Sequence, residues 1–302
     1  MIVAEVVRSG FVESVHHGSV VISGVASVGD VTGPIFPRSS NKPMQTVGML
    51  RAGLAVTDGA HLALISGSHF GEPMHVRMVR QILAGAGLPA TALRCPPALP
   101  LSETERVAWL RSGGRPEPLL MNCSGKHAGM LATCAVNGWP LESYLDPRHP
   151  VQKALAAAVT DLAGEPITAT GVDGCGAPVF ALSLTGLARA VQRLVEAAPG
   201  TPERRVADEM RAHPELVAGT GADDTLLMRA VPGLLAKGGA EGVVAVAVPG
   251  VGAVAVKIED GAMRPRTPVL LSALRKLGVT VPEMTEPVLG GGAPVGVVRS
   301  VW

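Results

Sequence analysis

Ser39 and Lys42 stand three residues apart in Pro37-Arg38-Ser39-Ser40-Asn41-Lys42-Pro43. A hydroxyl beside an amine, at the positive end of a helix, suits nucleophilic attack on an amide. Lys42 has to be neutral to take the Ser39 proton, and backbone N–H groups at a helix start can hold the developing oxyanion. Pro43 fits a first helical turn, Ser and Asn before it are good caps, and Met44, Val47, Leu50 and Leu54 continue an apolar spacing. The pattern predicts a helix beginning near residues 41–43, with Ser39 and Lys42 facing one another at its mouth. By itself Ser-x-x-Lys is a weak signal, because a helix cap followed by a solvated lysine has the same letters.

Composition narrows the classes. Hydrophobic residues make up 47% of the 302 and charged residues 17%, so a sizeable core is expected and disorder is not. A net charge of +1 and 3% aromatic residues point away from nucleic acid and from an anionic membrane surface. The N-terminal Met1–Arg8 is broken by Glu5 and does not read as a signal peptide, and no apolar run is long enough to span a bilayer. Cys95, Cys123, Cys134 and Cys175 are too sparse for a disulfide scaffold, so buried or metal-binding thiols in a reducing cytoplasm are the expectation.

The elements that must position these groups follow from periodicity. Residues 1–8 and about 11–24 read as strands, with a turn suggested at His17-Gly18. Helices are expected over about 60–65, 74–86, from Ser102, 127–137, 147–162, 186–198, 202–212 and 267–277. Val243–Val248 and Val251–Ile258 flank Pro249-Gly250 as a hairpin whose apolar character suits central strands covered on both faces. Val295–Val301 closes the chain as a last β segment. Strands at both ends and helices between give an α/β fold, an antiparallel sheet from both chain ends with a helical region inserted, in one domain spanning 1–302. That order resembles the serine β-lactamases and penicillin-binding proteins, which also carry Ser-x-x-Lys.

Seven stretches in order carry a closer resemblance. They are Val12–Gly18, Arg38–Pro43, Ser68–His75, Asn122–His127, Asp173–Pro178, Gly219–Gly221 and Lys237–Gly242. Together they resemble the rhizobial-type (thermolabile) L-asparaginases, similar in fold to serine β-lactamases and glutaminases, from about residue 5 to about residue 265. The resemblance implies two Ser–Lys pairs: Ser39 with Lys42, and Ser68 with Lys237, for which Lys257 on a predicted strand competes. Read as ordinary residues, Ser68 is a loop serine and Lys237 a helix C-terminal lysine. The resemblance also implies zinc held by Cys123, Lys126 and Cys175; a lysine ligand must lose its proton, so such zinc would be released as pH falls. His127 and Asp173, beside these ligands, would orient them or the substrate, and Arg38 would pair with the substrate carboxylate.

The implied reaction is hydrolysis of L-asparagine to L-aspartate and ammonia, through an aspartyl ester on a serine, in a homodimer. Two other readings stay open: a related serine amidohydrolase acting on glutamine or another amide, and a non-catalytic zinc or amino-acid binding protein on the same fold. Ala222-Asp223-Asp224 departs from the Arg-Phe-Asp expected after Gly-Thr-Gly, and Asn41 and Phe70 also differ from the family's usual residues.

Overall fold

Ser9 and Gly10 take positive φ of 49° and 82°, the conformation a two-residue hairpin needs, and join the first two strands. The computed structural model describes residues 1–56 and 58–302. Its strands are β1 (Ile2–Arg8), β2 (Phe11–Ile22), β3 (Ala26–Val28), β4 (Pro34–Ile35), β5 (Ala169–Val172), β6 (Pro178–Ser183), β7 (Leu235–Gly238), β8 (Val243–Val248), β9 (Gly252–Ile258), β10 (Glu286–Gly290) and β11 (Ala293–Ser300). Its α-helices are α1 (Lys42–Arg51), α2 (Ala60–Ile65), α3 (Pro73–Gly85), α4 (Glu103–Arg111), α5 (Ser124–Asn137), α6 (Pro150–Ala163), α7 (Leu184–Glu196), α8 (Pro202–Ala212), α9 (Pro214–Val217), α10 (Asp223–Ala230) and α11 (Arg266–Lys276).

The large sheet is antiparallel, in the order β10-β11-β1-β2-β9-β8-β7, with β3 also paired to β2. Both chain ends therefore meet in one sheet and most of the helices lie between them in sequence, as expected. A small sheet, β4-β6-β5, sits within the helical region. The register of β8 on β9 pairs Ala245 with Ala255 and Ala247 with Ala253, while Val244 faces Val256 and Val246 faces Val254. Alternation thus gives one thin alanine face and one thick valine face. Helices α7 and α11 both pack on these two strands, and β8 is buried along its whole length. The hydrophobic core runs without a break from the sheet into the helices.

Two local expectations are corrected. His17-Gly18 is no turn: β2 continues through it, and a Cβ on Gly18 would stand 2.7 Å from the Lys257 carbonyl oxygen. The glycine serves a close strand approach. Lys237 does not end a helix but lies in β7, a four-residue edge strand too short to announce itself by alternation. Helix α1 is buried at eight of its ten positions, Lys42 included, so it is a central helix rather than one with a single apolar stripe. No helix among the described residues is long and apolar enough to cross a membrane.

Helix α1 crosses α6 at Gly48, where an added Cβ would meet the Ala154 carbonyl oxygen at 2.9 Å and Leu155 Cα at 3.0 Å. Gly48→Ala is expected to destabilise the protein by about 1–3 kcal/mol, since backbone cannot give way as a flexible side chain does. Gly85→Ala at the end of α3, where nothing lies within 4 Å, should instead stabilise by roughly 0.5 kcal/mol. Urea unfolding of the two variants checks the contrast.

Candidate active site

Ser68 sits in the loop after α2, and neighbouring segments hold that loop. Ser68 N–H donates to the Val217 carbonyl at 2.7 Å, Phe70 N–H to that of Ala218 at 2.7 Å, and His69 N–H to that of Asn122 at 3.0 Å. The His69 side chain is fully buried, and burial drives its pKa well below the usual value, so the ring is neutral. Gly71 N–H donates to its Nδ1, which leaves the ring proton on Nε2, 2.8 Å from Ser124 Oγ; that hydroxyl donates to the Leu119 carbonyl. Glu72 accepts from Thr220 N–H at 2.8 Å and from Thr220 Oγ1 at 2.9 Å, and a Cβ on Gly219 would lie 2.7 Å from both Glu72 and Phe70. The Gly-Thr-Gly stretch is thereby explained as the close partner of the loop that carries Ser68.

Residues 38–41 form a separate 3-10 turn before α1, entered through Arg38 at a φ of +51°, an uncommon conformation for a side chain that size. Ser40 Oγ in this turn donates to the Lys237 carbonyl at 3.0 Å, which fastens the turn to β7. The Lys42 side chain does not pair with Ser39. Its Nζ donates to the Gly67 carbonyl and, at 3.0 Å, reaches Ser68 Oγ. Ser39 is half-buried and its hydroxyl has no hydrogen bond among the described residues. Ser39, Ser68, Asn122, Asp224, Lys237 and Arg266 converge on one cleft of about 710 Å³.

Lys237 is the second lysine at this cleft. Lys257 points elsewhere, its Nζ donating to the Glu241 and Ile258 carbonyls at 2.6 and 2.8 Å. Lys237 Nζ donates to the Gly238 carbonyl at 2.6 Å and stands 3.9 Å from Asp224 Oδ2, which accepts from Gly238 N–H at 2.7 Å. Burial lowers the Lys237 pKa to about 7; the Asp224 carboxylate opposes the shift, and the cations of Lys42 and Arg266 add to it.

Beyond Asn122 lies the cysteine side of the site. Lys126 Nζ, on the first turn of α5, donates to Cys175 Sγ at 3.3 Å. The Cys123 thiol, 3.4 Å from Asn122 Oδ1, stands close enough to Cys175 to lower the Cys175 pKa to about 5 while its own is pushed up to about 12. The two sulfurs hold one proton between them, because a second thiolate so close to the first would be repelled. A divalent cation would remove that repulsion, so two sulfurs and an amine make a donor set that suits zinc once Lys126 gives up its proton. No cluster of three or more His, Cys, Asp or Glu residues able to hold a metal occurs among the described residues. Cys95 and Cys134 are buried free thiols outside this set.

Arg38 and Asp173 meet here: Arg38 Nε donates to Asp173 Oδ1 at 2.8 Å, and its Nη1 is 3.7 Å from Glu241. Burial pushes the Asp173 carboxyl up, but Lys126 and Arg38 outweigh it and the pKa falls. His127 is buried in α5, and burial lowers its pKa to about 3. Tyr144 Oη accepts from Arg94 N–H and donates to His127 Nδ1 at 2.7 Å; His127 Nε2 is buried without a partner among the described residues.

The sequence profile of the L-asparaginase II family matches residues 4–298. The chain belongs to this family. Among solved structures, this L-asparaginase II family member is similar to Mglu in its native form, with 15% identity and a TM-score of 0.43; the match covers 85% of this chain and 62% of that one. It is also similar to a mutant of simvastatin synthase (LovD) from Aspergillus terreus, with 11% identity, a TM-score of 0.39, and coverage of 91% of this chain and 88% of that one. No curated protein matches by sequence.

Polar and charged residues of the cleft lining that were not among the expected site residues include Asn122, Asp223, Asp224, Glu241 and Arg266. Asp224 was visible only as part of a polar glycine-rich loop, and Arg266 only as the residue before a helix. Neither has a local signal, because each meets β7 only through the tertiary fold, Asp224 at Gly238 and Arg266 at Gly239. Lys237 yields a stability signature. Below pH 7 its amine is charged in both folded and unfolded chains. Between about 7 and the ordinary 10.5 only the unfolded chain carries the proton, so stability rises with pH across that window. Chemical denaturation at pH 6.5 and 9.5 is expected to show this rise, on the order of a few kcal/mol, and Lys237→Met should flatten it.

Proposed function

We propose that this L-asparaginase II family member hydrolyses L-asparagine to L-aspartate and ammonia, with Ser39, Lys42, Ser68 and Lys237 as its catalytic groups. The observation that carries this reading is the convergence of Ser39, Ser68 and the buried Lys237 on one cleft, with the Nζ of buried Lys42 3.0 Å from Ser68 Oγ. Ser39, whose hydroxyl is free at the helix mouth, attacks the side-chain carboxamide carbon. The Oγ–C bond forms and the Ser39 proton passes to the lysine–serine network. Lys237 suits that task, since an amine with a pKa near 7 is partly neutral at physiological pH. The C–N bond then breaks and ammonia leaves with the returned proton. Water adds to the aspartyl ester, releases L-aspartate and restores the Ser39 hydroxyl.

A second assignment within the same reaction rests on the 3.0 Å contact itself. Ser68 would be the nucleophile and Lys42 its base, since nucleophile and base then lie within hydrogen-bond reach. Asp173 and His127 frame the cysteine side of the site, with Arg38 holding Asp173. Zinc, if bound, would be held by Cys123, Cys175 and deprotonated Lys126, and would supply positive charge to position the polar substrate. The family reading favours a small-molecule substrate.

Ammonia release from L-asparagine and from L-glutamine tests the proposal. Release from asparagine is expected, with kcat lowered about 10³-fold or more in Ser39→Ala. Mass spectrometry of the trapped acyl-enzyme separates the two serines; an adduct on Ser68 would move the nucleophile there, and no release from either amide would sink the asparaginase reading. For the metal, protein loaded with zinc and then dialysed is expected to retain it, and Cys175→Ser to lose it, as read by atomic emission. Equal zinc in both would dismiss the cysteine site.

A further inference from the structure

Arg266 is the guanidinium that the cleft does not satisfy. It opens α11, its side chain is 13% exposed, and it lines the same cleft as Ser39 and Ser68. A guanidinium has five N–H donors, and this one is largely but not fully withdrawn from solvent. Here Nη1 makes one long contact, 3.4 Å to the Gly239 carbonyl, and Nη2 stands 3.7 Å from Asp223 Oδ2, beyond hydrogen-bond reach. Asp223 meanwhile accepts from Thr267 Oγ1. The guanidinium lies directly over β7: a Cβ on Gly238 would stand 2.6 Å from Arg266 Nη1, so glycine at that position lets the group take this place beside Lys237 without moving aside.

Arg38 contrasts with it at each point. It is 25% exposed, its Nε is already engaged by Asp173 at 2.8 Å, and it does not line this cleft. Its charge is spent on the loop that carries Cys175. The resemblance implied that Arg38 pairs with the substrate carboxylate; in this structure its Nε holds Asp173.

We infer that Arg266, reaching over Gly238, is the residue that pairs with the α-carboxylate of the substrate and so restricts this site to amides of amino acids that carry a free α-carboxylate. The inference rests on the asparaginase reading and adds to it the origin of selectivity. A carboxylate matches the planar fork of a guanidinium through two parallel N–H···O bonds, and it would supply acceptors that Gly239 and Asp223 leave missing.

The test compares wild type, Arg266→Gln, Arg266→Lys and Arg38→Gln with two ligands. One is L-asparagine; the other is 3-aminopropanamide, which is asparagine without its α-carboxylate, measured as a competitive inhibitor. Arg266→Gln is expected to raise the KM for L-asparagine about 30-fold or more while kcat stays within about threefold, because the lost contact is equal in ground and transition states. Arg266→Lys should fall between. The Ki of 3-aminopropanamide should be the same in wild type and Arg266→Gln, which a general collapse of the site would not allow. An unchanged KM in Arg266→Gln, a Ki that rises in step with KM, or a larger KM effect from Arg38→Gln would each overturn the assignment. If wild type does not hydrolyse L-asparagine, the functional reading fails separately, and calorimetric binding of L-aspartate decides on Arg266: weaker by a similar factor in Arg266→Gln upholds it, equal binding refutes it.

Discussion

Three lysine amines are buried in one region of this protein, and the site is the set of answers to that constraint. Lys42, Lys126 and Lys237 are each 1–2% exposed. An ammonium removed from water without compensation is too costly to persist, so each must find acceptors, find a counter-charge or lose its proton. Lys42 takes the first course, through the Gly67 carbonyl and the Ser68 hydroxyl. Lys126 takes the second, against the Cys175 thiolate. Lys237 leans to the third, with Asp224 near but not in hydrogen-bond contact. The three amines thus meet three different surroundings within one region of the fold.

The scaffold makes these states possible because it comes from two structural sources. The edge of the large sheet supplies Lys237 and, through Gly238, room for Arg266. The helical region supplies Ser39, Lys42, the Ser68 loop and the start of α5. The two are joined by hydrogen bonds that reach across the chain, such as Ser40 to the Lys237 carbonyl and Ser68 N–H to Val217. Polar residues that bear no chemistry share in this work. His69, neutral and with its proton fixed on Nε2, ties the serine loop to Ser124, and Glu72 ties it to Thr220. Such fully satisfied polar connections hold side-chain geometry more tightly than apolar packing alone.

A second consequence concerns charge across the site. The cysteine side holds a thiolate and Asp173 against Lys126 and Arg38, so its charges are largely paired. The cleft side holds Asp223, Asp224 and Glu241 against Lys237 and Arg266, and there the pairs are long. Loosely paired charges that line a cleft can change partners when a zwitterionic ligand arrives, whereas the tight pairs around Cys175 stay as structure.

The sequence by itself determined a good deal. Its periodicity located the helices near 60–65, 74–86 and 202–212 and the β8–β9 hairpin, and its seven motifs named the family. These are signals carried by neighbouring residues, where spacing of two or about 3.6 directly expresses which face is buried. Tertiary structure decided what depended on distant partners. Ser39 and Lys42 have the spacing of a facing pair, yet Lys42 bonds Ser68, because the 3-10 turn ends at Asn41 and the lysine side chain crosses to another loop. Lys237 and Lys257 are alike as letters; β7 at the sheet edge puts the first at the cleft, and β9 turns the second onto backbone carbonyls. Arg38 and Arg266 differ in the same way: Asp173 engages the first at 2.8 Å, while the second lines the cleft. Which group an amine or a guanidinium meets is set by packing between separate segments, from Ser68 against Lys42 to Asp173 against Arg38, and no local spacing encodes that.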